Sequence, residues 1–173
     1  MRGRKAVAAR VVALGGVVFG TAGCGNVVTT QLRGITGVTA DGDGRPVVII
    51  ASCGLTYDRV HVTGMQRPGD GGDPERIELT AATPQTGVFT LDLSEPGTGW
   101  SGAGGFTPAE PGFLVSTRSS QYDVTTTPVQ VSLTAYQQVT GEEVIVRENE
   151  RWTRAQFDDI ACDHTKWPSR PST

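Results

Sequence analysis

Five successive apolar residues, Val47-Val48-Ile49-Ile50-Ala51, lie between Pro46 and Ser52-Cys53. A strand with one face in water alternates apolar and polar residues, so an unbroken apolar run of strand length reads as a strand covered on both faces. Segment 46–53 is therefore expected to be the central strand of the fold, with Cys53 held at its end. A chain built around it must supply a layer on each side.

The neighbouring segments read as further strands. Segment 35–40 precedes the central one, separated by Asp41-Gly42-Asp43-Gly44, whose Asp-Gly pairs supply the positive φ of a tight turn. Segment 57–63 alternates, with Val60 and Val62 on one face and Tyr57, Arg59 and His61 on the other. Segments 76–81 (Ile77, Leu79 inward) and 88–93 (Phe89, Leu91, Leu93 on one face) flank a Thr83–Gly87 turn and read as a hairpin. Segments 113–117, 129–136 and 144–147 complete about seven or eight strands. Few aromatics and frequent glycine and proline favour the all-β class. The expected architecture is an immunoglobulin-like β-sandwich of antiparallel strands with a short C-terminal helix, and a small antiparallel β-barrel is the alternative.

The helix is placed at 154–161. Thr153 and Gln156 have the spacing of a capping box, and Trp152 and Phe157 that of a hydrophobic staple. Two longer loops stand out. Segment 64–74 is rich in Gly, Pro and Asp, and segment 94–112 carries Trp100 and Phe106 among glycines and prolines. Loops of this length inside a compact domain tend to be functional. If exposed, Trp100 and Phe106 would grip a peptide, a glycan or a partner protein of the envelope; the alternative is that the two rings fold back and cap the edge of the sandwich.

At the N-terminus, Arg2, Arg4, Lys5 and Arg10 precede an uncharged apolar stretch, 11–20. A basic start, an apolar run of about ten residues and small residues beyond it mark a secretory signal peptide. The run is too short to span the roughly 30 Å hydrocarbon core of a bilayer. Thr21-Ala22-Gly23-Cys24 resembles the lipobox of bacterial lipoproteins, with Thr21 standing where that family usually has an aliphatic residue. The resemblance covers the first 24 residues. It implies cleavage before Cys24, a diacylglyceryl group on Cys24 as the membrane anchor, and a location on the extracytoplasmic face of the cell membrane. It divides the chain into a signal peptide at 1–23, a tether at 24–34, a β-sandwich domain at 35–165 and a disordered tail at 166–173. Near-absence of lysine (Lys5 and Lys166 only) beside plentiful arginine, with the Gly, Ala, Val and Thr usage, is similar to proteins of GC-rich bacteria such as actinobacteria.

Residues 1–23 hold four of the 15 basic residues and none of the 18 acidic ones, so the remainder carries 11 basic residues and a net charge of −7. That balance argues against nucleic acid and against an anionic membrane surface as electrostatic partners. If Cys24 is lipidated, Cys53 and Cys162 remain as an even pair in an oxidising compartment and are expected to form a disulfide. Closing a loop of about 110 residues would stabilise the fold by about 4 kcal/mol on the chain-entropy model. Two buried free thiols are the alternative.

Little else carries chemistry. Asp163-His164 offers a general base and its orienting carboxylate, and with it the alternative reading of an extracytoplasmic hydrolase. No Gly-x-Ser-x-Gly turn supplies a nucleophile. Counted from Asp41, the twelfth position of a calcium loop falls on Ser52 rather than Glu, so 41–44 reads as a turn. No zinc spacing and no phosphate-cradling glycine loop occur, and no metal or cofactor is expected. The sequence thus points to a non-enzymatic binding or structural module, anchored through Cys24.

Overall fold

The computed structural model describes residues 31–103 and 105–167. The signal segment, Cys24, residues 25–30 of the tether and residues 168–173 of the tail lie outside them. The described chain is mostly strand. In order it forms β1 (Gln31–Ala40), β2 (Pro46–Ala51), β3 (Tyr57–Gly64), β4 (Arg76–Gln85), β5 (Val88–Asp92), β6 (Trp100–Gly102), β7 (Gly112–Arg118), β8 (Val124–Thr127) and β9 (Val129–Ser132). Then come α1 (Leu133–Gln137), β10 (Glu143–Val146), β11 (Glu150–Thr153) and α2 (Arg154–Ile160).

β1 holds the sheet together. Along one edge it pairs antiparallel with β2, from Ile35↔Ala51 to Ala40↔Pro46. Two strands share the opposite edge. β8 runs parallel to Gln31–Ile35, and β10 runs antiparallel at Gly37 and Val38. The sheet therefore forks at β1. One branch carries β11, β10, β2 and β5; the other carries β8, β9, β7, β3, β4 and β6. The step between the branches falls between Leu32 and Ile35. Gly34 sits there with φ +82°, where an added Cβ would stand 2.3 Å from the Ala51 carbonyl oxygen. Only glycine fits that backbone.

The two branches curl toward each other as a half-barrel. Val38, Val48, Ile50, Leu91 and Ile145 of the first branch pack against Val60, Val62, Leu79, Phe113 and Val115 of the second. The outer face of the first branch buries a second cluster, Ile35, Ile49, Val144, Val146 and Trp152, under Phe157 and Ala161 at the C-terminal helix. β2 thus contributes alternate residues to both cores, and the continuous apolar run is covered on both faces as expected. Where the branches part, the hydroxyls of Thr36, Thr117 and Thr126 bond to one another with no exposure to water. Each hydroxyl brings one proton and two lone pairs, so three can satisfy each other.

α2 forms as its sequence signals. The Thr153 hydroxyl accepts from the Gln156 amide, and the Gln156 carboxamide accepts from the Thr153 amide. The Trp152 and Phe157 rings lie 6.3 Å apart. The disulfide joins Cys53 to Cys162 and fastens the end of α2 to the end of β2.

Several expectations are corrected. β4 and β5 do not form a hairpin: β4 pairs with β3 and β6, while β5 crosses to β2. Both strands face the same core from opposite branches, so their apolar faces meet across it rather than side by side. Segment 129–136 is a strand only to Ser132, whose hydroxyl accepts from the Ala135 amide and caps α1. β8 and β11 were not expected, and β8 lies parallel to β1. The all-β class stands. The sheet is a mixed, curled half-barrel with one parallel pair, and the immunoglobulin-like sandwich is not confirmed.

Candidate functional site

β3 and β7 are antiparallel neighbours, so the end of one lies beside the start of the other, with Gly64 opposite Phe113. The two long loops leave from these points and are thereby placed side by side. The Met65 amide donates to the Gly112 carbonyl and the Gly64 amide to the Glu75 carbonyl, both at 2.8 Å, which closes the base. Farther out, the Arg67 guanidinium reaches Glu110 at 3.2 Å and links loop to loop. The Asp70 carboxylate accepts from the Arg67 amide, and the Gln66 carboxamide donates to the Gly72 carbonyl, so loop 65–75 is folded on itself. Between the loops lies an open cleft of about 390 Å³. Asp70, Asp73, Glu75 and Glu110 line it, and Phe106 contributes to its floor.

Phe106 follows the alternative in which the ring folds back into the domain. It is 2% exposed and meets Phe113 edge-on at 5.1 Å, as part of the main core. Its amide donates to the Leu93 carbonyl. Trp100 is half-buried and stacks on Phe89 at 6.5 Å, where the free edges of β5 and β6 come together. Segment 94–112 is therefore a partly paired excursion: β6 adds to β4, and the Gly102 position lies 2.1 Å from the Glu78 carbonyl oxygen at its would-be Cβ. The acidic cleft has the same two loops as its walls.

Asp163 and His164 are not brought into a catalytic arrangement. The Asp163 carboxylate accepts from the Thr165 amide at 3.1 Å and hydroxyl at 2.6 Å, with Lys166 at 3.7 Å. The Thr165 hydroxyl bond, with the nearby lysine, holds its carboxyl below the usual carboxylate range. His164 packs against Trp167 at 4.2 Å. Among the described residues, no hydrogen bond links His164 to Asp163 or to a serine. His61 stands on the outer face of β3, 3.7 Å from Glu78. Among the described residues no group of three or more His, Cys, Asp or Glu side chains could hold a metal ion, and no helix is long and apolar enough to cross a membrane.

Arg147 was not singled out by its sequence. Its φ of 50° turns the side chain back over the C-terminal core. The guanidinium lies 5.6 Å from the Trp152 ring and 4.9 Å from that of Trp167, with Glu150 at 2.9 Å. It clamps the C-terminal segment to the sheet by cation–π contact. No strand periodicity announces a left-handed arginine, so only the fold reveals it. No protein-family model, curated protein or solved structure matches the chain.

Proposed function

We propose that this protein is an extracytoplasmic lipoprotein, held on the cell membrane by a diacylglyceryl group at Cys24, that binds a partner without chemistry. The observation that carries the binding reading is the cleft itself. The two longest loops, far apart in sequence, close on one concavity at one end of β3 and β7. Four acidic residues line it, and Arg67 beside it pairs with Glu110. Such a surface complements ligands rich in hydrogen-bond donors or positive charge: a basic peptide segment, an envelope protein displaying one, or a glycan. The hydrolase alternative draws no support from the contacts of Asp163 and His164.

The test is binding of basic peptides and envelope glycans to wild type and to the triple variant Asp70→Asn/Asp73→Asn/Glu110→Gln. Exposed charge pairs contribute up to about 1 kcal/mol each, so affinity for the ligand that binds should fall about tenfold or more, at an unchanged melting temperature. Equal binding by the variant would remove the cleft from the proposal.

A further inference from the structure

The chain enters the structure at Gln31, seven residues after Cys24. At no more than about 3.4 Å per residue, Gln31 stands within about 24 Å of a lipid on Cys24. What the fold presents at this entry point is set by strand register. Leu32 is opposite Thr125, Thr125 opposite Arg118, Arg118 opposite Arg59, and Arg59 opposite Thr80. Residues opposite one another in adjacent strands point to the same face. Leu32, Arg118 and Arg59 therefore form a row across the outer surface of the second branch. The Gln31 amide donates to the Asp123 carbonyl and brings the 119–123 turn to the same corner.

This corner is unlike the rest of the surface. Leu32 is 55% exposed and Tyr122 52%, two of the four large hydrophobic side chains exposed among the described residues. Arg33, next in the chain, is exposed as well. Arg59 and Arg118 face each other as like charges across an antiparallel pair, which costs stability unless an anion lies between them. Glu78 stands 3.7 Å from Arg59 and Asp123 3.7 Å from Arg118. Those separations exceed hydrogen-bonding distance and leave guanidinium N–H groups available. The third carboxylate here, Asp58, is buried and bonded to the Ser120 amide and hydroxyl. Arg59, Arg118, Tyr122 and Asp123 line a shallow concavity of about 380 Å³.

The net charge of −7 opposes an anionic surface for the chain beyond residue 23 as a whole, but we propose that this corner is locally a membrane-facing surface that seats on anionic phospholipid headgroups. Arg59 and Arg118 take phosphate oxygens, and Leu32 and Tyr122 enter the boundary between headgroups and acyl chains. The proposal rests on the reading that Cys24 carries the lipid. It fixes orientation as well as contact. Gly64 and Gly112, at the mouth of the acidic cleft, lie at the opposite ends of β3 and β7 from Arg59 and Arg118. Seating one end turns the other away from the bilayer, and repulsion between the acidic cleft and an anionic surface acts in the same sense.

The full chain, purified from the membrane of its host, tests both layers. Mass spectrometry reads the diacylglyceryl group on Cys24. The same protein is then placed in vesicles of phosphatidylglycerol with phosphatidylcholine, and of phosphatidylcholine alone, and amide hydrogen exchange across 119–125 is followed. Exchange should slow several-fold on the anionic vesicles only. The double variant Arg59→Gln/Arg118→Gln should lose that slowing, as should wild type in about 1 M salt, where the screening length falls to about 3 Å. A lipid on Cys24 with equal exchange on both vesicles overturns the surface and leaves the anchor standing. Slowing that survives both the variant and the salt overturns the role of the arginines, and with it the proposal. No lipid on Cys24 overturns anchor and surface together.

Discussion

Gly37 in β1 is glycine for room rather than for conformation. An added Cβ would meet Val144 Cγ1 at 2.3 Å, Phe157 Cε2 at 3.1 Å and Ile49 Cγ2 at 3.2 Å, all in the cluster beneath α2. Gly37→Ala must push the helix outward or force off-rotamer side chains, at a cost of about 1–3 kcal/mol. Urea unfolding should show a lower midpoint with an unchanged slope. That role is invisible in the sequence, where the residue is one glycine in a strand, because the obstructing ring comes from 120 positions later. Phe106 could not be placed from sequence for the same reason. Its loop composition left exposure and a folded-back ring both open, while its burial depends on Phe113 waiting at the start of β7. The cysteine pair, by contrast, was legible: it needed only a count and a compartment, and the disulfide is present.

Elements were readable where their signals are local. The apolar run of β2 and the capping box of α2 are each complete within a few residues, and both formed where expected. Thr153→Ala removes the hydroxyl that accepts from the Gln156 amide at 3.1 Å. It should destabilise α2 by about 1 kcal/mol, read as faster amide exchange over 154–160 while the disulfide keeps the segment attached. β8 and β11 were missed because Val-Thr-Thr-Thr and Glu-Arg-Trp-Thr carry little apolar alternation. Their stability comes from neighbours. β8 contributes the buried Thr126 hydroxyl to the threonine cluster, and β11 contributes Trp152 to the helix-side core. The crossing of β5 to β2 depends on which branch each strand joins, and alternation within a strand does not encode its partner.

Across the whole molecule, two buried tyrosines tie the ends of the half-barrel. The Tyr57 hydroxyl donates to the Arg33 carbonyl near the start of β1, and the Tyr136 hydroxyl donates to the Gly44 carbonyl in the turn beyond its end. Burial, above all, pushes both phenols up to about 12. A folded-state value above the ordinary value near 10 means that this stability is fully present below about pH 10 and is lost as pH rises toward about 12. The melting temperature should fall over that window, and Tyr57→Phe with Tyr136→Phe should flatten the fall. The position of β1 has a mechanical consequence besides. A pull applied at Gln31 loads a strand paired with β2 from Ile35 to Ala40 and braced on its other edge by β8 and β10. Its antiparallel hydrogen bonds lie across the direction of such a pull, so they share the force in shear instead of opening one after another. The domain meets tension on its N-terminal side with a strand held by three others.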